Sequence, residues 1–396
     1  MGKISERTGA NTMGSKPPTV KNNGLQIEDD HENNLLVQSL RSRSKVSRNN
    51  QSVFPRKLNK VRVGVIGCGY WGQNLIRNFA KLKGCELVGV ADLDPGRLAF
   101  THRLYPKLKM CPSAENLIHE AGINTVAIVT PVSTHYTLAK MALQRGKHVL
   151  LEKPMATTVS EAEELTHLAR QLHRVLMIDH TFVFSGAVLK VREFINSGKL
   201  GKIYYYDSVR VNLGLFQQDV DVLWDLGPHD FSIMTYLLDK KVRSVSAIGA
   251  CPVRQGTWNR ESIVYVAIRF HDETLAHFHL NWLSPVKIRR TLIGGSRKMV
   301  VYDHLDPDNQ VKIFNKGIRV KTDKSRPEIL IQYRMGDMYA PKVDQTEALE
   351  KMCQHFVECI RYDKTPVTDG QTGVEVVRLL QAAEQSTKQL GKVVEL

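Results

Sequence analysis

An apolar run that leads directly into a glycine-rich turn constrains this chain more than any other feature. Residues 61–66 read Val-Arg-Val-Gly-Val-Ile. Glycine follows in the spacing Gly-x-Gly-x-x-Gly, at Gly67, Gly69 and Gly72. The first glycine permits a tight turn, the second lets the backbone approach a pyrophosphate, and the third lets the next helix pack closely on the strand. Because the helix N-terminus then faces the anion, the pattern predicts a dinucleotide-binding turn.

An acidic residue ends the next apolar run, where it suits the ribose of such a cofactor. Residues 86–92 read Glu-Leu-Val-Gly-Val-Ala-Asp, so the run closes on Asp92. A carboxylate there would bind the ribose hydroxyls and repel a 2′-phosphate. The next residue is Leu93, not an arginine that could receive such a phosphate. NAD is therefore the expected cofactor and NADP is less favoured.

The composition is that of a globular chain with two domains and an additional segment. The chain has 396 residues, 42% of them hydrophobic. No apolar run approaches the roughly 20 residues that a membrane span needs, and the N-terminal segment lacks the apolar stretch of a secretory signal. We therefore expect a cytoplasmic protein without a membrane span. The six cysteines show no metal-ligand spacing, which predicts reduced thiols and no metal site.

The basic excess does not by itself indicate a nucleic-acid partner. Residues 1–60 contain 11 Lys or Arg and 5 Asp or Glu, so most of the net charge of +15 lies in the rest of the chain. Residues 1–59 are also rich in Asn, Ser and Lys, which predicts a disordered basic tail. Its basic cluster at residues 41–48 lacks aromatic side chains for base stacking. Binding to nucleic acid is therefore not favoured.

The periodicity of the apolar residues divides the remaining chain into two domains. Short apolar strands alternate with helical patterns up to about residue 182, which predicts a parallel sheet flanked by helices over residues 60–182. Residues 183–396 instead show period-two alternation, which predicts an antiparallel sheet in an α+β domain. Helical spacing at residues 347–361 and 373–388 predicts helices that cover this sheet or the joint between the domains.

A lysine lies where open α/β sheets bind their ligands. Glu152, Lys153 and Pro154 end the predicted strand at residues 148–151, so Lys153 is expected to face the nicotinamide crevice. The segment 130–135, Thr-Pro-Val-Ser-Thr-His, ends the preceding strand and is expected to wall the same pocket. The alternative for Lys153 is a solvated loop lysine.

A histidine at a predicted helix start is the candidate base. Gly227 and Pro228 are typical of a helix N-terminus, which would place His229 in the first turn with Asp225 just ahead. A helix N-terminus disfavours the imidazolium, so His229 would be a neutral base. The alternative is a hydrogen-bonded core histidine.

Four motifs, in this order, resemble those of the Gfo/Idh/MocA family of sugar and inositol oxidoreductases. They are Gly-x-Gly-x-x-Gly, Thr-Pro-x-x-x-His, Glu-Lys-Pro and Asp-x-Gly-x-His, found at residues 67–72, 130–135, 152–154 and 225–229. The resemblance implies an α/β protein, with an N-terminal Rossmann domain whose parallel sheet is doubly wound. An α+β domain with an open, mainly antiparallel sheet would follow, for substrate binding and oligomer contacts. A homodimer or homotetramer is then expected.

The resemblance also implies which residues act. Lys153, Asp225 and His229 would form the catalytic group. A hydride would pass from a sugar carbon to nicotinamide while His229 takes the hydroxyl proton and Lys153 stabilises the alkoxide. Asp225 would orient the substrate or hold His229. The expected cofactor contacts are Gly67, Gly69, Tyr70, Trp71, Gly72, Asp92, Thr130, Pro131, His135, Glu152 and Lys153.

The second domain resembles members of the family that make surface-polysaccharide sugars. This likeness implies a nucleotide-linked sugar as substrate, oxidised at C3 in some members. Lys153, Asp225 and His229 would touch it, and Arg210, Asn212 and Arg289 would meet its pyrophosphate or a carboxylate. An inositol or free-monosaccharide dehydrogenase is the alternative enzyme. A regulator that binds NAD without catalysis is the alternative from another class.

Overall fold

The computed structural model describes residues 60–214, 220–254, 259–322 and 329–396. The predicted tail at residues 1–59 lies outside the described residues. No helix in the described ranges has the length and apolar content to cross a membrane. All six cysteines are free, as predicted.

Six parallel strands form the first sheet, in the order β3-β2-β1-β4-β5-β6. They are β1 (Val61–Ile66), β2 (Cys85–Ala91), β3 (Lys109–Cys111), β4 (Thr125–Ile128), β5 (His148–Glu152) and β6 (Leu176–Asp179). The connecting helices are α1 (Tyr70–Lys81), α2 (Pro95–Leu104), α3 (Ala114–Ile118), α4 (Val132–Gln144) and α5 (Val159–Gln171). Separate apolar clusters bury the two faces of the sheet, which confirms the predicted doubly wound arrangement.

The three glycines of the turn between β1 and α1 have different surroundings. Gly67 has φ +100°, and an added Cβ would lie 2.5 Å from the carbonyl oxygen of Val129. A Cβ on Gly72 would overlap the carbonyl oxygen of Gly67. A Cβ on Gly69 would meet nothing closer than Arg97 Nη1 at 3.7 Å. Two glycines are thus required by packing, whereas the third leaves the backbone open on its ligand side.

Nine strands form the second sheet, in the order β16-β13-β12-β11-β7-β10-β9-β8-β17. Its strands are β7 (Ile203–Leu213), β8 (Val242–Ala250), β9 (Ile263–Phe270), β10 (Leu275–Asn281), β11 (Leu283–Gly295), β12 (Met299–Asp303), β13 (Val311–Phe314), β16 (Met338–Tyr339) and β17 (Val394–Glu395). Strands β14 (Gly317–Thr322) and β15 (Ile329–Arg334) pair separately. The sheet is mainly antiparallel as predicted, and the exception is the parallel pair of β7 and β10.

Helices pack on both sheets and between them. A 3₁₀ helix (Thr181–Phe184) follows β6, and the later helices are α6 (Gly186–Asn196), α7 (Val222–Leu238), α8 (Ala348–Tyr362) and α9 (Gly370–Lys388). Helix α8 buries Leu349, Met352, Phe356 and Ile360, which have helical spacing, in the cluster of β1, so it packs on the first sheet and not on the second. Helix α9 contributes residues to the clusters of both sheets, so it covers the joint.

The predicted helix start at Gly227 is wrong. Helix α7 begins at Val222, where the Asp221 carboxylate caps it by accepting the Trp224 N–H at 2.9 Å. Pro228 therefore lies inside the helix. The helix extends N-terminally because Leu223 and Leu226 continue its buried face. His229 consequently lies in the helix interior and not in the first turn.

Two alanine substitutions in the glycine turn should separate folding from cofactor binding. Gly72→Ala should lower the free energy of unfolding by about 1–3 kcal/mol, because its Cβ meets backbone. Gly69→Ala should leave stability unchanged but weaken NAD binding on the order of tenfold, since its Cβ enters the open side of the turn. Urea unfolding and NAD titration by protein fluorescence measure the two effects. Equal loss of stability in both variants would contradict this assignment.

Candidate active site

A lysine at the carboxyl end of β5 is held by helix α7. Lys153 Nζ donates to the Asp225 carbonyl oxygen at 3.0 Å and lies 3.3 Å from Asp225 Oδ1. The other carboxylate oxygen, Oδ2, accepts from Trp282 Nε1 at 3.2 Å. Trp282 directly follows β10 and is buried. The site therefore lies where the end of the parallel sheet meets α7 and the second sheet.

His229 follows Asp225 by four residues, so both lie on the same face of α7. Its Nδ1 is buried without a hydrogen-bond partner, and its ring contacts Phe182 edge to face at 4.9 Å between centroids. Burial, followed by the charge of Lys153 and then those of nearby arginines, lowers the pKa of His229 well below 6.5. The ring is therefore neutral at pH 7. The helix N-terminus proposed from the sequence is not the cause.

Arg210 on β7 is committed to a buried ion pair. Its Nε donates to Asp230 Oδ2 at 2.6 Å and its Nη2 to Oδ1 at 3.2 Å. The guanidinium also lies over the Phe182 ring, with Cζ 4.8 Å from the centroid. Only Nη1 has no partner. Arg210 is thus not the free cation that the sequence predicted for the substrate, because Asp230 already neutralises its charge, and Nη1 is the donor that it has left.

Arg289 on β11 is the direct cross-strand neighbour of Arg210. Its Cζ lies 5.8 Å from the Phe182 centroid, and its buried Nε has no hydrogen-bond partner. Burial and the charge of Arg210 lower its pKa. Asn212 lies two residues beyond Arg210, half-buried, and its amide donates to the carbonyl oxygen of Leu213 at 3.0 Å. The structure thus brings Arg289 to the aromatic ring and leaves Asn212 near the end of its strand.

Two histidines near Phe182 were missed in the sequence. His180 is buried, neither ring nitrogen has a partner, and burial lowers its pKa to about 3. The ring of His304 contacts the ring of Phe182, with 5.1 Å between centroids, and its Nδ1 lies 3.2 Å from the Tyr302 hydroxyl oxygen. Burial lowers the pKa of His304 to about 4. His180 follows β6 directly, so the rule that applied to Lys153 could have identified it. No signal marks His304.

The cofactor side of the site centres on Asp92 at the end of β2. Its Oδ2 accepts from the Cys68 N–H at 2.6 Å, and Oδ1 accepts from the Asp94 N–H at 2.9 Å. Helix α1 has Gly69 as its N-cap residue, with no side-chain cap and no acidic residue in its first turn. The uncapped helix start, the open backbone at Gly69 and the nearby carboxylate fit a dinucleotide that carries a free ribose hydroxyl.

Other predicted cofactor contacts lie at or near this edge of the sheet. Tyr70 is 88% exposed, whereas Trp71 Nε1 donates to Asp179 Oδ2 at 3.2 Å. Glu152 is paired in register with Asp179, and its buried Oε2 has no hydrogen-bond partner. Burial and the Asp179 charge raise the pKa of Glu152 well above 4.5.

His135 does not wall the pocket as expected. Its Nδ1 lies 2.8 Å from the carbonyl oxygen of Pro154, and its Nε2 lies 2.8 Å from that of Thr130. The ring is buried and its pKa is lowered by burial. His135 therefore joins two loops, those after β4 and β5, while Pro131 is exposed at the start of α4. Over the described ranges, no group of three or more His, Cys, Asp or Glu side chains could hold a metal ion.

Named relatives include dehydrogenases of two substrate classes. The chain is 28% identical over 260 residues to UDP-N-acetylglucosamine 3-dehydrogenase of Acidithiobacillus ferrooxidans, covering 65% of this chain and 78% of the relative. It is 25% identical over 337 residues to scyllo-inositol 2-dehydrogenase (NAD(+)) of Bacillus subtilis, covering 80% and 92%. The WlbA dehydrogenase of Bordetella pertussis, solved with NADH and UDP-GlcNAcA, has the same fold, with a TM-score of 0.72 at 19% identity over 86% of this chain and 99% of that one.

Family models cover nearly all of the described chain. An oxidoreductase-family model with an NAD-binding Rossmann fold matches residues 61–180, and the C-terminal alpha/beta domain of the same family matches residues 192–396. This chain therefore belongs to the Gfo/Idh/MocA family and is an NAD-binding oxidoreductase.

Proposed function

We propose that the protein oxidises a hydroxyl group of a nucleotide-linked sugar, at C3, with Lys153, His229 and Asp225 as the catalytic group. The observation that carries this proposal is the contact of Lys153 with Asp225 beside the neutral ring of His229. A fixed ammonium and an uncharged base on neighbouring elements are what the oxidation of an alcohol requires.

The chemistry divides between these three side chains. Bound NAD supplies the hydride acceptor at its nicotinamide ring. Lys153 donates a hydrogen bond to the sugar hydroxyl oxygen and stabilises the negative charge that develops on it. His229 accepts the hydroxyl proton, which its lowered pKa permits at neutral pH. Asp225 holds Lys153 through its carbonyl oxygen and its carboxylate. In the reverse direction the same groups would reduce a ketone.

Two considerations support a nucleotide-linked sugar. One named relative is a UDP-N-acetylglucosamine 3-dehydrogenase. The site also carries more positive than negative charge, since Arg289 has no carboxylate within ion-pair distance among the described side chains. A cyclitol is the second candidate substrate, because the scyllo-inositol 2-dehydrogenase matches over most of both chains. An uncharged cyclitol would leave the excess positive charge without a partner.

We further infer that the open face of the second sheet joins copies of this chain. Ile248, Tyr265 and Leu275 are 62%, 45% and 47% exposed. Ile248 is directly opposite Tyr265, and Tyr265 stacks on His279 at 4.5 Å. Exposed apolar and aromatic side chains that share one sheet face are typical of protein interfaces. A homodimer or homotetramer would cover them.

A substrate panel tests the function directly. NADH formation should appear with UDP-hexoses or UDP-hexuronic acids and be at least about tenfold weaker with free sugars and inositols, which lack the anionic groups. NADP should support less turnover, since the Asp92 carboxylate repels a 2′-phosphate. The absorbance of the reduced cofactor measures both. Turnover of inositols alone would replace this proposal with the cyclitol dehydrogenase.

Removal of the Lys153 charge should slow catalysis strongly without unfolding the protein. Lys153→Met should lower kcat/KM by about 100- to 10,000-fold, because the developing alkoxide loses its stabilising cation. Lys140→Met, which removes an exposed ion pair with Glu164, is the matched control and should retain full activity. Initial rates and NAD titration measure activity and binding. Full activity in Lys153→Met would refute the catalytic assignment.

The pH dependence of kcat/KM should report the lowered pKa of His229. The base acts in its neutral form, and its folded pKa lies well below 6.5. In the oxidation direction, kcat/KM should therefore stay constant as the pH falls from 8 through 6.5, and decline only at lower pH. Initial rates of NADH formation over this range measure the profile, with His229→Ala giving the residual rate. A decline of kcat/KM centred near pH 6.5 would show that His229 is not the base or is not buried during turnover.

A further inference from the structure

The ion pairs of the candidate site leave one positive charge without a partner. Lys153 pairs with Asp225, and Arg210 pairs with Asp230. Arg289, over the same ring as Arg210, has no carboxylate within ion-pair distance among the described side chains. One positive charge is therefore uncompensated in a partly buried site.

The arrangement of the two arginines is costly without a ligand. Arg210 and Arg289 are direct cross-strand neighbours, where like charges repel. Arg289 Nε and Arg210 Nη1 are both buried and make no hydrogen bond. Burying such donors unpaired costs free energy, and the Phe182 ring compensates only part of it. An anion that accepts from both atoms would satisfy the donors and the charge together.

We infer that this anion is a carboxylate of the sugar itself, so that the substrate class is a nucleotide-linked hexuronic acid bound by Arg289 and by Nη1 of Arg210. The inference rests on the proposed function and narrows its substrate. A carboxylate carries the single negative charge that Arg289 requires, and its two oxygens match guanidinium donors.

Position favours the carboxylate over the diphosphate of the same molecule. Phe182 contacts His229, at 4.9 Å between ring centroids, and lies below the Arg289 guanidinium at 5.8 Å. Arg289 and the proposed base His229 thus contact the same aromatic ring, which would place the arginine within about one sugar ring of the reacting hydroxyl. The diphosphate carries a larger charge, and Lys287, which is exposed two residues before Arg289 on β11, offers it a cation nearer to solvent. His304 adds no charge, since burial lowers its pKa to about 4.

The test compares acidic and neutral sugars on the same nucleotide. The probes are UDP-glucuronic acid with UDP-glucose, and UDP-GlcNAcA with UDP-N-acetylglucosamine. The wild-type enzyme should prefer the acid of each pair in kcat/KM. Arg289→Gln should lower kcat/KM for the acids on the order of 10- to 100-fold, mainly through KM, and leave the neutral sugars unchanged.

The neighbouring arginine is the matched control. Arg290 is exposed and pairs with Asp303 at 2.7 Å, so Arg290→Gln should alter neither substrate class. Arg289→Lys keeps the charge but not the planar donors, and should retain part of the preference for acids. NAD titration verifies that each variant is folded.

The outcomes separate this inference from the proposed function. An equal loss for acidic and neutral UDP-sugars in Arg289→Gln would assign Arg289 to the diphosphate and overturn the carboxylate. Wild-type turnover of neutral UDP-hexoses alone would overturn it as well, while leaving the function intact. Turnover of inositols with no UDP-sugar oxidised would overturn both.

Discussion

The contact between Lys153 and Asp225 is the interaction on which the rest of the site depends. It joins the end of β5 in the parallel sheet to α7, which packs on the second sheet. Trp282 holds the second oxygen of the same carboxylate, so three segments distant in the chain meet at one side chain. The lysine charge is also the second largest cause, after burial, of the low pKa of His229. The position of Lys153 and the low pKa of His229 therefore both depend on this contact.

The apolar pattern predicted the parts of the fold that short-range physics determines. The glycine turn, the apolar run before Asp92 and the apolar face of α8 could be recognised from spacing alone, because each shows a characteristic pattern within a short segment. The start of α7 was missed because glycine followed by proline usually marks a helix start, whereas here buried leucines continue the helix through it. The burial of these leucines in the tertiary structure therefore outweighs the local preference of glycine and proline for a helix start.

The site was less predictable because its partners are distant in sequence. Lys153 could be identified from its place after a predicted strand, whereas His229 was selected with a predicted helix start that the structure does not have. The pairing of Arg210 with Asp230 could not, since it depends on how α7 packs against β7. Phe182, on which two arginines and two histidines converge, is an ordinary apolar residue in the sequence. Its role arises only from the folded surroundings.

The parallel pairing of β7 and β10 has a consequence for how the site can diverge. Helix α7 lies in the connection between these strands, and it is fixed at both: Asp230 binds Arg210 on β7, and Asp225 binds Trp282 just after β10. Arg289 and His304, by contrast, lie on or after the next two strands, β11 and β12. Under the proposed mechanism, substitutions there would change which molecule is accepted, while the helix that carries the proposed base His229 keeps its contacts with both strands. The proposed substrate-selecting residues and the proposed catalytic residues would then lie on separate elements, so that one set could be redesigned without loss of the other.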